Sequence, residues 1–349
     1  MSHAWGDNRI LTHLKEGREL YTALAFGKKP AAPLPPPRFI SCWISELCNL
    51  DCTYCFFSDT NHDKSHTYID THKFLEWLSV VRKSGAESLE FSGGGEPTLH
   101  PDFQMIYEHA KNMLSYHIGI ITHACNDMPL ESMVNHFSYV RCGLDAATVA
   151  THDAIKRNKR KDYWFHKAIE NIKELVRLRD EKETKDFTVG IKIVLNKINF
   201  HELHQMVDLA KELRVNYIQI KREHSSNNDL NANQIVIAES YLLKEGMNGG
   251  FTKVKGTMAH ARATTKCFMS PIHTVVTATG KILQCCFFED RPIGTIFQPF
   301  SEVWGGEDHR KVIEMTTVNE CDKLDCRWNS YNFKMKSIIE DPLHQTSFI

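Results

Sequence analysis

The stretch Cys48-Asn-Leu-Asp-Cys52-Thr-Tyr-Cys55 puts three thiols into one short loop, spaced C-x3-C-x2-C. A [4Fe–4S] cube normally takes four cysteine thiolates, one for each iron. Three thiolates this close together hold three corners and leave one iron for a small molecule to complete. Zinc sites more often draw paired C-x2-C hooks from two separate places. The x3 gap does not read that way.

Further stretches follow in order: Glu90-Phe-Ser-Gly-Gly-Gly-Glu-Pro-Thr98, then Val140-Arg-Cys-Gly-Leu-Asp-Ala146 with Thr151-His-Asp-Ala154, then Gly190-Ile-Lys-Ile-Val-Leu-Asn196 with Asn199. Together with the cysteine triplet and Tyr54 before its last member, these resemble the radical S-adenosylmethionine (SAM) superfamily. The resemblance covers roughly residues 38–225 and matches that family's cysteine loop, its "GGE" segment and its fourth and fifth strands. It implies that Cys48, Cys52 and Cys55 ligate a cluster whose open iron takes the amine and carboxylate of SAM. Gly93, Gly94 and Gly95 would let backbone approach the cofactor, Glu96 would accept from its amine, and Pro97 would fix the exit. Tyr54 would lay its backbone against the adenine, Asp145 would contact the ribose or the substrate, and Lys192 would pair with the SAM carboxylate.

Strand and helix signals alternate along the middle of the chain. Strands are expected at 39–45, 88–92, 118–122, 139–144, 189–195 and 217–221. Helices are expected at 71–84, 102–114, 130–136, 163–179 and 201–213. Six β/α units call for a parallel sheet with right-handed crossovers, and the resemblance implies a partial (β/α)6 TIM barrel. In such barrels chemistry gathers on the loops at the carboxyl ends of strands. The cysteine loop and the glycine segment follow the first two strands and fall on that rim. The expected organisation is an N-terminal helix and Pro-rich linker over 1–37, the core over 38–225, a connecting segment over 226–260 and a C-terminal domain over 261–349.

In that last region Cys267-x12-Gly280-x4-Cys285 flanks Thr274–Gln284, which reads as a β-hairpin. A hairpin carries its flanking residues back beside each other, and Cys321-x4-Cys326 supplies a second pair. This resembles a twitch extension, the shortened relative of the SPASM domain, built from a small β-hairpin plus helix. The resemblance implies an auxiliary [4Fe–4S] cluster on Cys267, Cys285, Cys321 and Cys326, with Cys286 the rival to Cys285. Of the remaining cysteines, Cys42 and Cys142 read as small buried hydrophobes. Cys125, in the loop after the third strand, is a candidate catalytic hydrogen-atom donor.

Lys+Arg 42 against Asp+Glu 43 leaves almost no net charge, which argues against a nucleic-acid or membrane-surface partner. No apolar run is long enough to span a bilayer, and the N-terminus lacks the layout of a signal peptide. Eleven cysteines without an export signal point to a reducing cytoplasm and to metal ligation. As a radical SAM oxidoreductase, the chain would cleave SAM reductively to a 5′-deoxyadenosyl radical, abstract a substrate hydrogen and oxidise the product through the auxiliary cluster. An electron donor such as flavodoxin or ferredoxin is implied. The expected substrate is a small polar molecule such as a sugar or aminocyclitol, because few residues precede the first strand to hold a leader-binding domain. The alternatives are a maturase of a ribosomal peptide or protein side chain, and a non-enzymatic iron–sulfur protein.

Overall fold

In the computed structural model, residues 34–57, 67–157, 162–182, 186–223, 228–258 and 267–315 are described, with Trp328 and Asn332. The helix expected within 1–30 lies outside them, as do Cys321 and Cys326.

The elements run β1 (Phe39–Cys42), α1 (Thr71–Ser84), β2 (Ser88–Phe91), α2 (Phe103–Asn112), β3 (His117–Thr122), α3 (Leu130–His136) and β4 (Tyr139–Gly143). Next come α4 (Val149–Lys156), α5 (Tyr163–Glu181), β5 (Thr188–Leu195), α6 (Leu203–Glu212), β6 (Tyr217–Arg222), α7 (Ala232–Met247) and β7 (Lys253–Thr257). The described chain continues with β8 (His273–Val276), β9 (Lys281–Leu283), β10 (Pro292–Thr295), α8 (Phe300–Val303) and α9 (Glu307–Met315). All strands belong to one sheet, ordered β10-β9-β8-β1-β2-β3-β4-β5-β6-β7. From β8 to β7 every neighbouring pair is parallel, while β8, β9 and β10 pair antiparallel.

Alternation along the strands gives the sheet two different faces. Ile40, Phe91, Ile120, Val140, Ile191 and Ile218 face the helices and form the core with Phe74, Leu78, Ile106, Leu175 and Val207. The intervening positions carry Ser41, Glu90, Arg141, Lys192 and Gln219. This polar face does not pack helices. Helix α1 starts where Asp70 accepts from the Lys73 N–H, buries Phe74, Trp77, Leu78 and Val81, and stops at Gly85.

Two expectations are corrected. The segment 226–260, read as connecting, contains α7 and β7, and β7 extends the parallel sheet beyond β6 in register Gln219↔Lys255. It escaped notice because Lys-Val-Lys-Gly-Thr places lysines on the polar face, and α7 leaves Val236, Ile237 and Leu243 exposed, which blurs an amphipathic pattern. The C-terminal hairpin forms as expected, with Val275↔Leu283 and Val276↔Ile282 opposed. It is no detached unit, because β8 pairs with β1 through Ser41↔Val275 and Cys42↔Val276. Among the described residues no helix is long and apolar enough to cross a membrane.

Two histidines buried against the helices couple this packing to pH. Burial lowers His152 in α4 to about 4 and His309 in α9 to about 3, and neither ring is exposed. Both stay neutral in the folded chain where the unfolded chain takes up protons, near pH 6.5. Their share of stability is complete above that value and is lost as pH falls toward 4, at about 2.7 kcal/mol per pH unit for the two together. Urea unfolding at pH 7, 6 and 5 should show this slope, and His309→Leu should remove its half.

Candidate functional site

Past β1 the chain runs through Trp43–Leu47 into the cysteine loop. Its backbone is stitched to the last turn of α4: Asp51 N–H donates to the Lys156 carbonyl at 3.0 Å and Thr53 N–H to the Ile155 carbonyl at 2.9 Å. These bonds satisfy carbonyls that a helix end otherwise leaves open. Cys48, Cys52 and Cys55 are half-buried and lie within electrostatic reach of one another. Burial pushes Cys48 up to about 12, with Glu96 and the other two thiols adding to it, while the Leu50 N–H pulls the other way. Burial likewise pushes Cys52 up to about 11 against the pull of Lys156. Thiolate ligation here must therefore displace protons.

The glycine segment after β2 lies directly on this loop. Gly95 N–H donates to the Ser45 carbonyl at 2.7 Å and Glu96 N–H to the Leu47 carbonyl at 2.8 Å. A Cβ on Gly95 would stand 2.2 Å from the Leu47 oxygen, and Gly94 turns with φ +74°, so both positions need glycine. Among the described residues nothing donates to the carbonyls of Gly93, Gly94 or Gly95, which leaves acceptors for an incoming amine.

Glu96 follows the ridge directly. It is 4% exposed and is held by its own chain. It accepts from the Thr98 N–H (3.2 Å) and hydroxyl (2.8 Å), the Thr122 hydroxyl (2.6 Å) and the His123 N–H (3.0 Å). It caps the 3₁₀ turn at Pro97–Leu99 and ties the ends of β2 and β3 together. A polar network that sequence reasoning missed runs beside it. The His123 ring meets Asn49 Oδ1 at 2.8 Å, Asn49 donates to Asn126 at 2.7 Å, and Asn126 donates to Thr98 at 2.8 Å. Burial lowers His123, keeping it neutral. Because Cys125 N–H donates to Nδ1, the ring proton belongs on Nε2. An Asn inside the cysteine loop was the one signal in the sequence for this network.

Asp145 lies just past the end of β4. It is 1% exposed, has φ +60° and accepts from Tyr54, Lys156 and the Val194 N–H (2.6 Å). Burial alone would raise its carboxyl, but Lys156 and these bonds outweigh it and hold it below the usual range. Tyr54 thus spends its hydroxyl on Asp145, and Lys156, which heads a basic run in the sequence, is 2% exposed. This trio anchors the loop from beneath.

Cys125 lies within electrostatic reach of Cys52 and Glu96. Ala124 takes φ +59° and tucks the thiol into the core, fully buried, where it donates to the His123 carbonyl at 3.2 Å. Burial pushes it well up. Cys125→Ala is expected to leave SAM cleavage and product yield within about twofold while costing roughly 1–2 kcal/mol for the lost packing. Loss of product with SAM cleavage intact would restore the donor role. Cys42 and Cys142 are fully buried. Lys192 lies on the polar face, paired in register with Gly143 and Gln219.

The hairpin brings Cys285 within electrostatic reach of Cys267. Cys267 sits in a cradle of donors: the Met269 and Ser270 N–H groups, the Ser270 hydroxyl and Asn332 pull its thiol down against burial, which raises it. A hydrogen bond with Cys286 and burial push Cys285 well up, opposed by the Phe287 N–H. Cys48, Cys267 and Cys285 thus share one device, an amide two residues on aimed at sulfur. Cys286 instead packs against Trp43, Val275 and Leu283. No trio of His, Cys, Asp or Glu among the described residues closes round a single-ion position.

A parallel α/β sheet with a thiol loop after its first core strand and a glycine ridge after the second defines a recognisable class. Residues 44–210 match the family model of the radical SAM superfamily. A cofactor-modifying protein of the tungsten-containing aldehyde ferredoxin oxidoreductase from Pyrococcus furiosus is 27% identical over 180 residues, 49% of this chain and 48% of the relative. A probable GTP 3′,8-cyclase of Saccharolobus islandicus is 25% identical over 185 residues, 52% of this chain and 55% of that one. The chain spans about half the length of these curated relatives. Streptococcus suis SuiB bound to S-adenosylmethionine shares the fold, with TM-score 0.65 and 14% identity over 89% of this chain and 74% of SuiB.

Proposed function

We propose that this chain is a radical SAM enzyme in which Cys48, Cys52 and Cys55 hold a [4Fe–4S] cluster and the ridge Gly93–Gly95 receives the amine of SAM. The observation carrying this reading is the stitching of the two loops, which sets three thiols and three open carbonyls side by side. The donor set fits the group: soft thiols, mutually close, with an amide aimed at Cys48. When bound, cluster and SAM together supply abstraction of a hydrogen atom from an unactivated C–H bond. The chain's own residues do the rest. Asp145, Lys156 and Tyr54 fix the loop, Glu96 and Thr122 fix the ridge, and the polar face of the sheet, curled into a partial barrel, orients substrate and limits water.

Cys267 and Cys285, with Cys321 and Cys326, are the proposed ligands of an auxiliary cluster, which would accept an electron and make the net reaction an oxidation. The amide donors at Cys267 and Cys285 support their assignment as ligands. The proposed substrate is a small polar molecule. A second reading, modification of a peptide, draws support from the fold shared with SuiB, for which a complex with the precursor peptide SuiA is known. Anaerobically reconstituted protein with dithionite and SAM should release 5′-deoxyadenosine; none would point to a non-enzymatic iron–sulfur protein. Deuterium transferred into 5′-deoxyadenosine from a labelled sugar or from a labelled peptide separates the two substrate classes.

A further inference from the structure

The polar face of β4–β7 carries three cations, Arg141, Lys192 and Lys255, with Glu90 in electrostatic reach of the first two and Asp145 in reach of Lys192. In register, Gly143, Lys192, Gln219 and Lys255 lie side by side across four strands, with Arg141 two residues before Gly143 on the same face. Neighbouring strands are about 4.8 Å apart, so the two lysines stand about 10 Å from each other with reach to converge. Neither lysine has a carboxylate or other acceptor within hydrogen-bond distance among the described residues. Arg141 gives its Nε to the Tyr217 hydroxyl at 3.0 Å and is flanked by the Tyr139 and Tyr217 rings. Its two terminal nitrogens donate to nothing described.

Two details sharpen the picture. Glu90, the acid on this face, accepts from the Tyr139 hydroxyl, and Asp145 is committed to Lys156. The Gln219 amide oxygen, between the two lysines, is buried with no donor. Burial lowers Lys192, with Asp145 and Glu90 opposing and Arg141 and Lys156 adding to it, while burial and Arg141 lower Lys255. Partly buried cations gathered this closely are retained at a cost unless something anionic pairs with them. Gly190 makes room for the Tyr217 ring, which a Cβ at that position would meet at 2.2 Å.

We propose that this face binds an oxyanion of the substrate, a phosphate or a carboxylate, between Arg141, Lys192 and Lys255. The assignment rests on the proposed function for its substrate side, and it takes Lys192 away from the SAM carboxylate. A guanidinium fork and two ammonium groups suit either anion.

Titration calorimetry of the reconstituted full chain, with saturating SAM, tests it using inorganic pyrophosphate in one arm and citrate in the other. Binding in either arm is expected, and the tighter arm identifies the class. Lys192→Met and Lys255→Met keep the apolar stem and should each weaken binding roughly tenfold, the double variant roughly a hundredfold. The tighter anion should raise the melting temperature of the wild type and not of the double variant, which is expected to fold because it sheds unpaired charge. No binding in either arm, unchanged affinity in the double variant, or anions displaced by SAM would each overturn the proposal. SAM cleavage by the wild type is assayed alongside. Anion binding without cleavage would keep this site and sink the proposed function, and cleavage without anion binding would do the reverse.

Discussion

Lys156→Met is expected to cost about 3–5 kcal/mol of stability, because it strands the Asp145 carboxylate in the interior. Asp145 and Lys156 are 1% and 2% exposed, so solvent cannot screen the orphaned charge. Tyr54 and the Val194 N–H remain as donors, yet neither carries a positive charge. The damage should spread, since the last turn of α4 holds the amides of Asp51 and Thr53. Iron retention should fall with stability. Asp145→Asn in the same chain should restore part of the loss, because the pair couples directly. Urea unfolding of the two single variants and the double variant measures this. A loss below about 1 kcal/mol for Lys156→Met would mean that the pair does not anchor the loop.

Replacing Cys48, Cys52 and Cys55 together by alanine is expected to bring 5′-deoxyadenosine formation to the uncatalysed level. Iron content should fall by one cluster's worth, with the remainder held by the C-terminal cysteines. The fold should survive, since the thiols sit on a half-buried loop and β1, α1 and β2 do not depend on them for their core. Circular dichroism beside the iron assay separates loss of cluster from loss of fold.

Much of this architecture is readable along the chain. Helices at Thr71–Ser84 and Leu130–His136 fall at their expected bounds, because Asp70 caps one and apolar spacing marks both. Strands β3 to β6 show as short apolar runs, since one face of each is buried by helices. What stays hidden is whatever depends on partners distant in sequence. Lys156 looks like the head of a solvated basic run, and the contact with Asp145 forms when α4 folds back over β4. Glu96 reads as an acceptor for the SAM amine, and its Thr122 and His123 donors come from the end of the next strand and the residue after it. Cys125 looks like a rim thiol, and the left-handed turn at Ala124 sends it inward. β7 hides because Lys253 and Lys255 break the apolar run that marks a buried strand.

The central claim is a cysteine loop that leaves one iron open for SAM. Electron paramagnetic resonance of the anaerobically reconstituted, dithionite-reduced full chain, recorded before and after SAM is added, addresses it most directly. The account predicts a reduced-cluster signal that changes shape on adding SAM, and no SAM-sensitive signal in the Cys48, Cys52 and Cys55 triple variant. A wild-type spectrum indifferent to SAM, or a SAM-dependent change that persists without those three cysteines, would contradict it.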